Sequence, residues 1–146
     1  MMEVYTDGGC SGNPGPGGWA YVIINGNDAV PLENWGAENP TTNNRMELQA
    51  VIAALQYISG TGTIPEIKVY TDSQYVQKGI TEWIKDWKSR GWKSSAKKPV
   101  KNQDLWQRLD TLAGGLPITW VWVKGHAGNP YNERCDFLAQ KAIASL

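Results

Sequence analysis

The chain has 146 residues, with 14 basic and 14 acidic side chains, so its formal net charge is zero. This length suits one domain with a single core, and a hydrophobic content of 41% is enough to fold without staples. The longest apolar stretch, residues 48–58, is too short to span a bilayer, and the N-terminus lacks the basic start of a signal peptide. The two cysteines, Cys10 and Cys135, make no disulfide framework, which favours a reducing compartment. We therefore expect one domain over residues 1–146, monomeric, cytoplasmic and without membrane attachment.

The charge is unevenly distributed along the chain. Residues 1–80 carry three basic and eight acidic side chains, whereas residues 81–108 carry eight basic and three acidic ones. A basic patch on an acidic body is typical of a protein that binds phosphates. A solvated helix face is the structural alternative.

The first predicted elements are three strands and a helix. Residues 3–6, 19–25 and 30–35 are strand-like, and turn residues between them indicate an antiparallel meander. The glycine-rich segment 12–18 partly fits a dinucleotide-binding pattern, but a strand follows it where that motif requires a helix, so we predict a turn. Residues 45–58 have the apolar spacing of a helix.

The remaining elements alternate between helices and strands. With the first four they give the order β-β-β-α-β-α-α-α-β-α, which predicts an α/β fold with a mixed sheet and helices packed on it. They are a strand at 67–71, two short helices at 73–80 and 81–88 divided near Gly79, a basic loop at 91–99, a helix at 102–112, a strand at 118–124 and a helix at 130–145.

Four carboxylates stand at the ends of these elements. Asp7 ends the first strand, Glu47 lies in the first turn of the long helix, Asp72 ends the fourth strand, and Asp136 lies early in the last helix. If the first and fourth strands are parallel neighbours, their carboxyl ends meet at the edge where α/β sheets bind ligands. Four converging carboxylates repel one another unless a hard divalent ion is bound. Two such ions about 4 Å apart would clamp the attacking and leaving oxygens of a phosphoryl displacement.

Each carboxylate also has a structural interpretation. The Asp7-Gly8 pair is a turn signal. Asn44 and Glu47 fit a capping arrangement, and Asp72 could cap the next helix. Asp136 could be a surface acid favoured near a helix N-terminus.

One histidine and several tryptophans stand out as well. His126 lies between glycines in the segment 125–128, directly before the helix that carries Asp136. A group that titrates near neutral pH suits proton transfer to a leaving oxygen, although a lone histidine is usually unremarkable. Three tryptophans lie in the basic segment. Aromatic side chains there suit stacking on sugars or bases, and core packing would account for about one of the three. The tryptophans are Trp83, Trp87 and Trp92, interleaved with Lys85, Lys88, Arg90, Lys93, Lys97 and Lys98.

Five strings of residues together resemble one family. The sequence closely resembles type 1 ribonuclease H of the bacterial kind, and the strings occur in family order over almost the whole chain. They are residues 5–8 (YTDG), 12–18 (GNPGPGG), 42–48 (TNNRMEL), 71–76 (TDSQYV) and 123–129 (VKGHAGN), the last continued by 132–136 (NERCD).

The resemblance implies a five-stranded ribonuclease H-like fold with strand order 3-2-1-4-5. It implies a hydrolase that cuts the RNA strand of an RNA–DNA hybrid with two Mg²⁺ or Mn²⁺ ions and leaves 5′-phosphate and 3′-hydroxyl ends. It assigns metal binding to Asp7, Glu47, Asp72 and Asp136, and product departure or proton transfer to His126. It assigns RNA contacts to Cys10, Asn13, Asn43 and Gln74, a DNA-phosphate pocket to Thr42 and Asn102, and a DNA-binding protrusion at about 81–101 to Trp83, Trp87, Lys93, Lys97, Lys98 and Lys101.

Two other functions fit the same residues less well. A DNA-directed nuclease of the same fold would lack the basic protrusion and the glycine-histidine segment. A hybrid-binding module that has lost its chemistry would have no reason to keep four acids and His126. Cleavage of hybrid, duplex and single-stranded substrates separates the three.

Overall fold

The computed structural model describes residues 1–26, 30–62, 65–124 and 129–146. Its centre is a five-stranded sheet in the order β3-β2-β1-β4-β5, so the predicted strand order is confirmed. The central strand β1 is antiparallel to β2 and parallel to β4, and β5 continues the parallel half. The strands are β1 (Met2–Cys10), β2 (Gly15–Asn25), β3 (Leu32–Thr41), β4 (Ile67–Thr71) and β5 (Ile118–Trp122).

Helices cover both faces of the sheet. One face packs against α1, whose buried residues join those of α4 in the larger core, and the other face packs against α5. Side chains alternate along β1, so Val4 points towards α1 and Tyr5 towards α5. The helices are α1 (Asn43–Gly60), α2 (Gln74–Lys78), α3 (Ile84–Ser89), α4 (Gln103–Gly114) and α5 (Pro130–Ala144).

The first three strands are longer than the sequence predicts. β1 reaches Cys10, and β2 begins within the glycine-rich segment at Gly15, which we predicted to be a turn. Gly17 and Gly18 pair with Cys10 and Gly9 of β1, and both also pair with β3. Glycine has a low strand propensity, but pairing on both sides overrides it. Strands β1 and β2 therefore continue to the edge of the sheet where Asp7 lies.

The predicted break near Gly79 is a change of helix type rather than an end. A π-helical turn over Gly79–Trp83 joins α2 to α3, and the residues at both junctions keep right-handed helical angles. A Cβ atom on Gly79 would lie 2.0 Å from Cη2 of Trp106, so only glycine lets this helix pass over the Trp106 ring. The segment therefore forms one bent helix that carries Trp83 and Trp87.

No helix in the described part of the chain is both long and apolar enough to cross a membrane.

Candidate active site

Two parallel strands bring the first pair of carboxylates together. Tyr5 of β1 pairs with Tyr70 of β4, and two residues later the strands carry Asp7 and Asp72. Asp7 is buried within β1, whereas Asp72 follows the last residue of β4. One carboxylate oxygen from each of Asp7, Asp72 and Glu47 lies within 4.8 Å of the others. Three of the four predicted carboxylates therefore meet at the carboxyl edge of the sheet.

Glu47 reaches this edge because α1 crosses β1 at a glycine. The Gly8 main-chain N–H donates a hydrogen bond of 2.5 Å to Oε1 of Glu47. A Cβ atom on Gly8 would lie 2.3 Å from the carbonyl carbon of Met46, so any side chain there would push α1 away. The Gly8 N–H thus fixes a carboxylate that the sequence placed only on a helix.

The fourth carboxylate comes from the opposite face of the sheet. Asp136 lies on α5 and shares a hydrogen bond with Asp7. The neighbouring Cys135 is buried, and its thiol donates to the carbonyl oxygen of Tyr5 at 3.3 Å. Helices on both faces therefore supply acids to one edge, as the sequence predicts.

The cluster raises the pKa values of its buried members. Burial raises the pKa of Asp7 well above its ordinary value, and the charges of Glu47, Asp72 and Asp136 raise it further. Burial and the charge of Asp72 likewise raise the pKa of Glu47, although the Gly8 and Ser73 hydrogen bonds oppose this. Carboxylate oxygens are the ligands that hard divalent cations prefer, and a cation removes this repulsion. The donor set therefore fits a divalent metal ion.

The structural interpretations of these acids are wrong where the structure tests them. Asp7 and Gly8 lie inside β1 and form no turn. The cap of α1 is Thr42 rather than Asn44, and Glu47 is the fifth helical residue and points to Gly8. The cap of α2 is Ser73, not Asp72. The capping oxygens are thus supplied by neighbouring hydroxyls, which leaves the carboxylates for the cluster.

The residues predicted to contact RNA lie along the rim beside this cluster. Oδ1 of Asn13 accepts a 3.2 Å hydrogen bond from the main-chain N–H of Asn43, which joins the loop after β1 to the start of α1. The Cys10 thiol is half-buried and donates to the carbonyl oxygen of Thr41 at 3.3 Å. Gln74 is exposed two residues after Asp72. Asn13 and Asn43 are also exposed, so three of these four side chains are open to a ligand.

The predicted phosphate pocket includes an arginine that the sequence analysis missed. The main-chain N–H of Arg45 donates to the capping oxygen of Thr42, and its guanidinium donates to Oδ1 of Asn102 at 3.2 Å. The same guanidinium forms two hydrogen bonds to Asp104, and Nδ2 of Asn102 donates to the Tyr75 hydroxyl. Arg45 thus links two predicted residues that are far apart in sequence. It lies within the TNNRMEL string, but only the fold shows its partners.

The protrusion is built on an aromatic cluster. Trp87 packs against Trp106, Trp83 and Trp92 at centroid distances of 5.4, 5.9 and 6.4 Å. Trp83 also meets Tyr75 edge to face at 5.7 Å. Trp83, Trp87 and Trp92 are all half-buried, and the last two pack against the main core. Packing therefore involves more of these tryptophans than the sequence suggested, since Trp83 and Trp92 both pack on Trp87, which in turn packs against Trp106.

The predicted basic side chains cover the outside of this cluster. Residues 93–99 form a tight turn in which Lys93 bridges to Pro99, and buried Val100 anchors its end. All four predicted lysines of this region are exposed, namely Lys93, Lys97, Lys98 and Lys101. A packed aromatic cluster with lysines on its outer surface suits the binding of a phosphate backbone.

His126 lies outside the described residues. Trp122, which the sequence analysis did not single out, ends β5, and its indole N–H donates to the carbonyl oxygen of Asp72 at 3.3 Å. Its side chain is 36% exposed, so it holds the carboxylate-bearing segment while remaining accessible.

The fold and the carboxylate cluster together define a metal-dependent enzyme of phosphoryl transfer. Comparison with known proteins identifies the family. The ribonuclease H family model matches residues 1–144. The ribonuclease H of Cupriavidus pinatubonensis is 57% identical, and the match covers 100% of this chain and 99% of that protein.

Solved structures give the same result. The crystal structure of LC9-RNase H1, described as a type 1 RNase H with the type 2 active-site motif, has a TM-score of 0.88 at 37% identity, covering 99% of this chain and 72% of that one. LC11-RNase H1, solved in complex with an RNA/DNA hybrid, has a TM-score of 0.76 at 24% identity, covering 99% and 98%, and supports the fold.

The chain belongs to the ribonuclease H family. It is a hydrolytic, metal-dependent endoribonuclease that cleaves the RNA strand of RNA–DNA hybrids.

Proposed function

We propose that the chain hydrolyses RNA within a hybrid with two divalent cations, Mg²⁺ or Mn²⁺, and leaves 5′-phosphate and 3′-hydroxyl ends. The observation that carries this proposal is the meeting of three carboxylate oxygens, from Asp7, Glu47 and Asp72, within 4.8 Å. Asp136 shares a hydrogen bond with Asp7 and completes the proposed ligand set. When bound, such cations activate water and neutralise charge on the scissile phosphate.

The residues around the cluster orient the proposed ligands. The main-chain N–H of Gly8 donates to the Glu47 carboxylate, which limits its rotation before a cation binds. Trp122 holds the main chain of Asp72 from the neighbouring strand. Preorganised ligands lower the cost of assembling the site when substrate arrives. We assign proton transfer at the leaving oxygen to His126, on the sequence alone.

Substrate selection is divided between two surfaces in this proposal. The rim with Cys10, Asn13, Asn43 and Gln74 lies beside the acids and would meet the RNA strand, where a 2′-hydroxyl distinguishes RNA from DNA. The exposed amides of Asn13, Asn43 and Gln74 supply both donors and acceptors for that hydroxyl.

The DNA strand would lie against the pocket and the protrusion. Thr42 and Asn102, joined through Arg45, would hold a phosphate, and the aromatic and basic side chains of the protrusion would hold the sugar–phosphate backbone beyond it. Trp83, Trp87 and the exposed lysines carry this second contact.

We also propose that the protein acts as a cytoplasmic monomer on its hybrid substrate. Cys10 and Cys135 are both free thiols, as expected in a reducing compartment. Size-exclusion chromatography with light scattering, without and with a hybrid, tests the oligomeric state.

The deciding experiment is cleavage of four labelled substrates: hybrid, duplex RNA, duplex DNA and single strands. We expect the wild type to cut only the RNA strand of the hybrid. Glu47→Gln should abolish cutting, whereas Glu66→Gln, a matched change at an exposed acid, should not. Cleavage of duplex DNA would favour the DNA-directed alternative, and full activity of Glu47→Gln would remove the proposed metal site.

A further inference from the structure

The cation of the proposed DNA-phosphate pocket is paired with an acid of the same chain. Arg45, in the first turn of α1, forms two parallel hydrogen bonds to Asp104, in the first turn of α4. Nη1 donates to Oδ1 at 3.0 Å, and Nη2 donates to Oδ2 at 2.8 Å. These hydrogen bonds lower the pKa of the Asp104 carboxyl, so this group is ionised at neutral pH. Asp104 therefore neutralises the charge that a phosphate would meet in the pocket.

The position of Arg45 does not serve its own helix. A cation in the first turn lies at the end of the helix where the macrodipole disfavours positive charge. The guanidinium is nevertheless held there, because Nη1 also donates to Oδ1 of Asn102 at 3.2 Å, and Nδ2 of Asn102 donates to the Tyr75 hydroxyl at 3.1 Å. Asn102 thereby keeps the guanidinium close to Thr42, whose hydroxyl oxygen caps α1. This arrangement favours a role in binding an anion over a role in stabilising α1.

Asp104 is the partner that can leave the pair. Its side chain is 65% exposed, whereas that of Arg45 is 32% exposed and is also bonded to Asn102. An exposed ion pair contributes little to stability, because water solvates both charges well. Rotation of Asp104 into solvent therefore costs little, and it leaves the guanidinium in place with two N–H groups released.

A DNA phosphate presents the same pair of oxygens as the Asp104 carboxylate. A guanidinium binds a phosphate through two parallel N–H···O bonds, as it binds a carboxylate. The Thr42 hydroxyl and the second N–H of the Asn102 amide are further donors of the kind that a phosphate oxygen accepts. The carboxylate and the phosphate therefore compete for one guanidinium.

We propose that Asp104 is an affinity-determining residue, which occupies the Arg45 guanidinium and is displaced by a phosphate of the DNA strand. The inference rests on the proposed function, since it assumes that the DNA strand lies against Thr42 and Asn102. Asp104 then lowers the affinity for the hybrid without taking part in the chemical step. If Asp104 instead held Arg45 in the orientation that binds phosphate, its removal would weaken binding, so the two roles predict effects of opposite sign.

A second arginine–carboxylate pair supplies a matched control. Arg134 donates to Glu33 through Nε at 2.6 Å and through Nη2 at 2.9 Å, and this pair joins α5 to β3 rather than α1 to α4. Glu33→Gln removes one negative charge from a bidentate pair, as Asp104→Asn does, so it reports the general effect of net charge on nucleic-acid binding. Asp104→Asn in an Arg45→Gln background tests whether Asp104 acts through Arg45.

The experiment measures the dissociation constant of a labelled hybrid by fluorescence anisotropy in a chelator, which prevents metal-dependent cleavage. KM and kcat are measured in parallel with Mg²⁺. Asp104→Asn should lower the dissociation constant and KM by about fivefold, the upper range for an exposed ion pair, without raising kcat. Glu33→Gln should stay within twofold of the wild type. Arg45→Gln should weaken binding, and adding Asp104→Asn to it should give no gain.

Single methylphosphonates in the DNA strand locate the effect, because each replaces one charged phosphate by a neutral linkage. The gain from Asp104→Asn should disappear at one position of the strand and persist at the others. The inference is refuted if Asp104→Asn leaves binding unchanged or weakens it, if Glu33→Gln gains as much, or if the gain survives in the Arg45→Gln background or at every methylphosphonate. Those outcomes leave the pocket in place, whereas a wild type whose affinity ignores methylphosphonates at every position would contradict the proposed DNA-phosphate pocket itself.

Discussion

Glu47 is held by the main-chain N–H of Gly8, across a contact so close that Gly8 has no room for a side chain. The Cβ of an alanine there would lie 2.3 Å from the carbonyl carbon of Met46, which is buried in the first turn of α1. The glycine after the first aspartate is thus part of the site, because it sets the distance from α1 to β1.

Gly8→Ala should lower both Tm and activity, by several degrees and more than tenfold, because α1 must move and take Glu47 with it. Gly9→Ala is the matched control, since a Cβ there meets only Nε2 of Gln140 at 3.8 Å. Thermal melts and single-turnover cleavage of a hybrid check both. Equal behaviour of the two variants would show that the close approach has no effect on the site.

The acid cluster should make the metal-free protein less stable as the pH rises. The pKa values of Asp7 and Glu47 are raised by burial and repulsion, so the folded state keeps protons that the unfolded state releases above a pH of about 4. The free energy of unfolding therefore falls with rising pH until these groups ionise in the folded state as well. Asp7→Asn should flatten this dependence and melt no lower than the wild type at neutral pH.

Melts in a chelator between pH 4 and pH 9 measure this dependence. Asp86→Asn, at an exposed residue of α3, is the control and should follow the wild type. Mg²⁺ should raise the Tm of the wild type most at high pH, because ligands bind metal after losing their protons. A steeper loss of stability in Asp7→Asn than in the wild type would contradict the repulsion argument.

His126→Ala should keep measurable activity. A proton-transfer group contributes about 10²–10⁴-fold, and the metal site would carry the remaining catalysis. The loss should affect turnover more than KM. Steady-state kinetics beside Asp7→Asn test this, and complete inactivation of folded His126→Ala, equal to that of Asp7→Asn, would assign the histidine a larger role.

Neutralising Lys93, Lys97, Lys98 and Lys101 together should weaken hybrid binding and reduce its dependence on salt. Each phosphate contact contributes roughly one unit to the slope of log affinity against log salt concentration, because it releases counterions. Neutralising Lys68 and Lys141, which lie outside the protrusion, is the control. KM and turnover against salt measure the effect, and an unchanged slope in the four-lysine variant would leave the protrusion as a solvated surface.

Gly79→Ala should impair the same binding step through packing. Its Cβ would lie 2.0 Å from the Trp106 ring and would displace the bent helix that carries Trp83 and Trp87. We expect a higher KM with turnover at saturating substrate largely retained, since none of the four clustered carboxylates lies on that helix. Gly114→Ala is the control, because a Cβ there meets nothing within 4 Å. A loss of turnover without a change in KM would contradict this assignment.

Local patterns predict the order of the elements, and the family resemblance implies the strand order. Asp7 and Asp72 stand out because they end predicted strands. The patterns do not reveal contacts that depend on the approach of distant elements. Gly8 resembles part of a turn in the sequence, yet it is a strand residue under α1. Gly79 resembles a helix end, yet the helix continues through it as a π-helical turn because Trp106 packs there.

Other contacts between distant elements follow the same rule. Arg45 and Asn102 meet only because α1 and α4 pack side by side, and the Cys135 thiol reaches Tyr5 only because α5 returns to the first strand. These partners are far apart along the chain, so spacing carries no signal for them.

The hydrogen bond from Cys135 to Tyr5 joins residues that are 130 positions apart in the sequence. The site draws one acid from near the first residues and another from the last helix, so no early portion of the chain contains it. During synthesis, a ribosome-bound chain should be inactive until α5 has emerged and docked. Nuclease activity should therefore appear only after α5 has docked, and a chain terminated before α5 should cut no RNA.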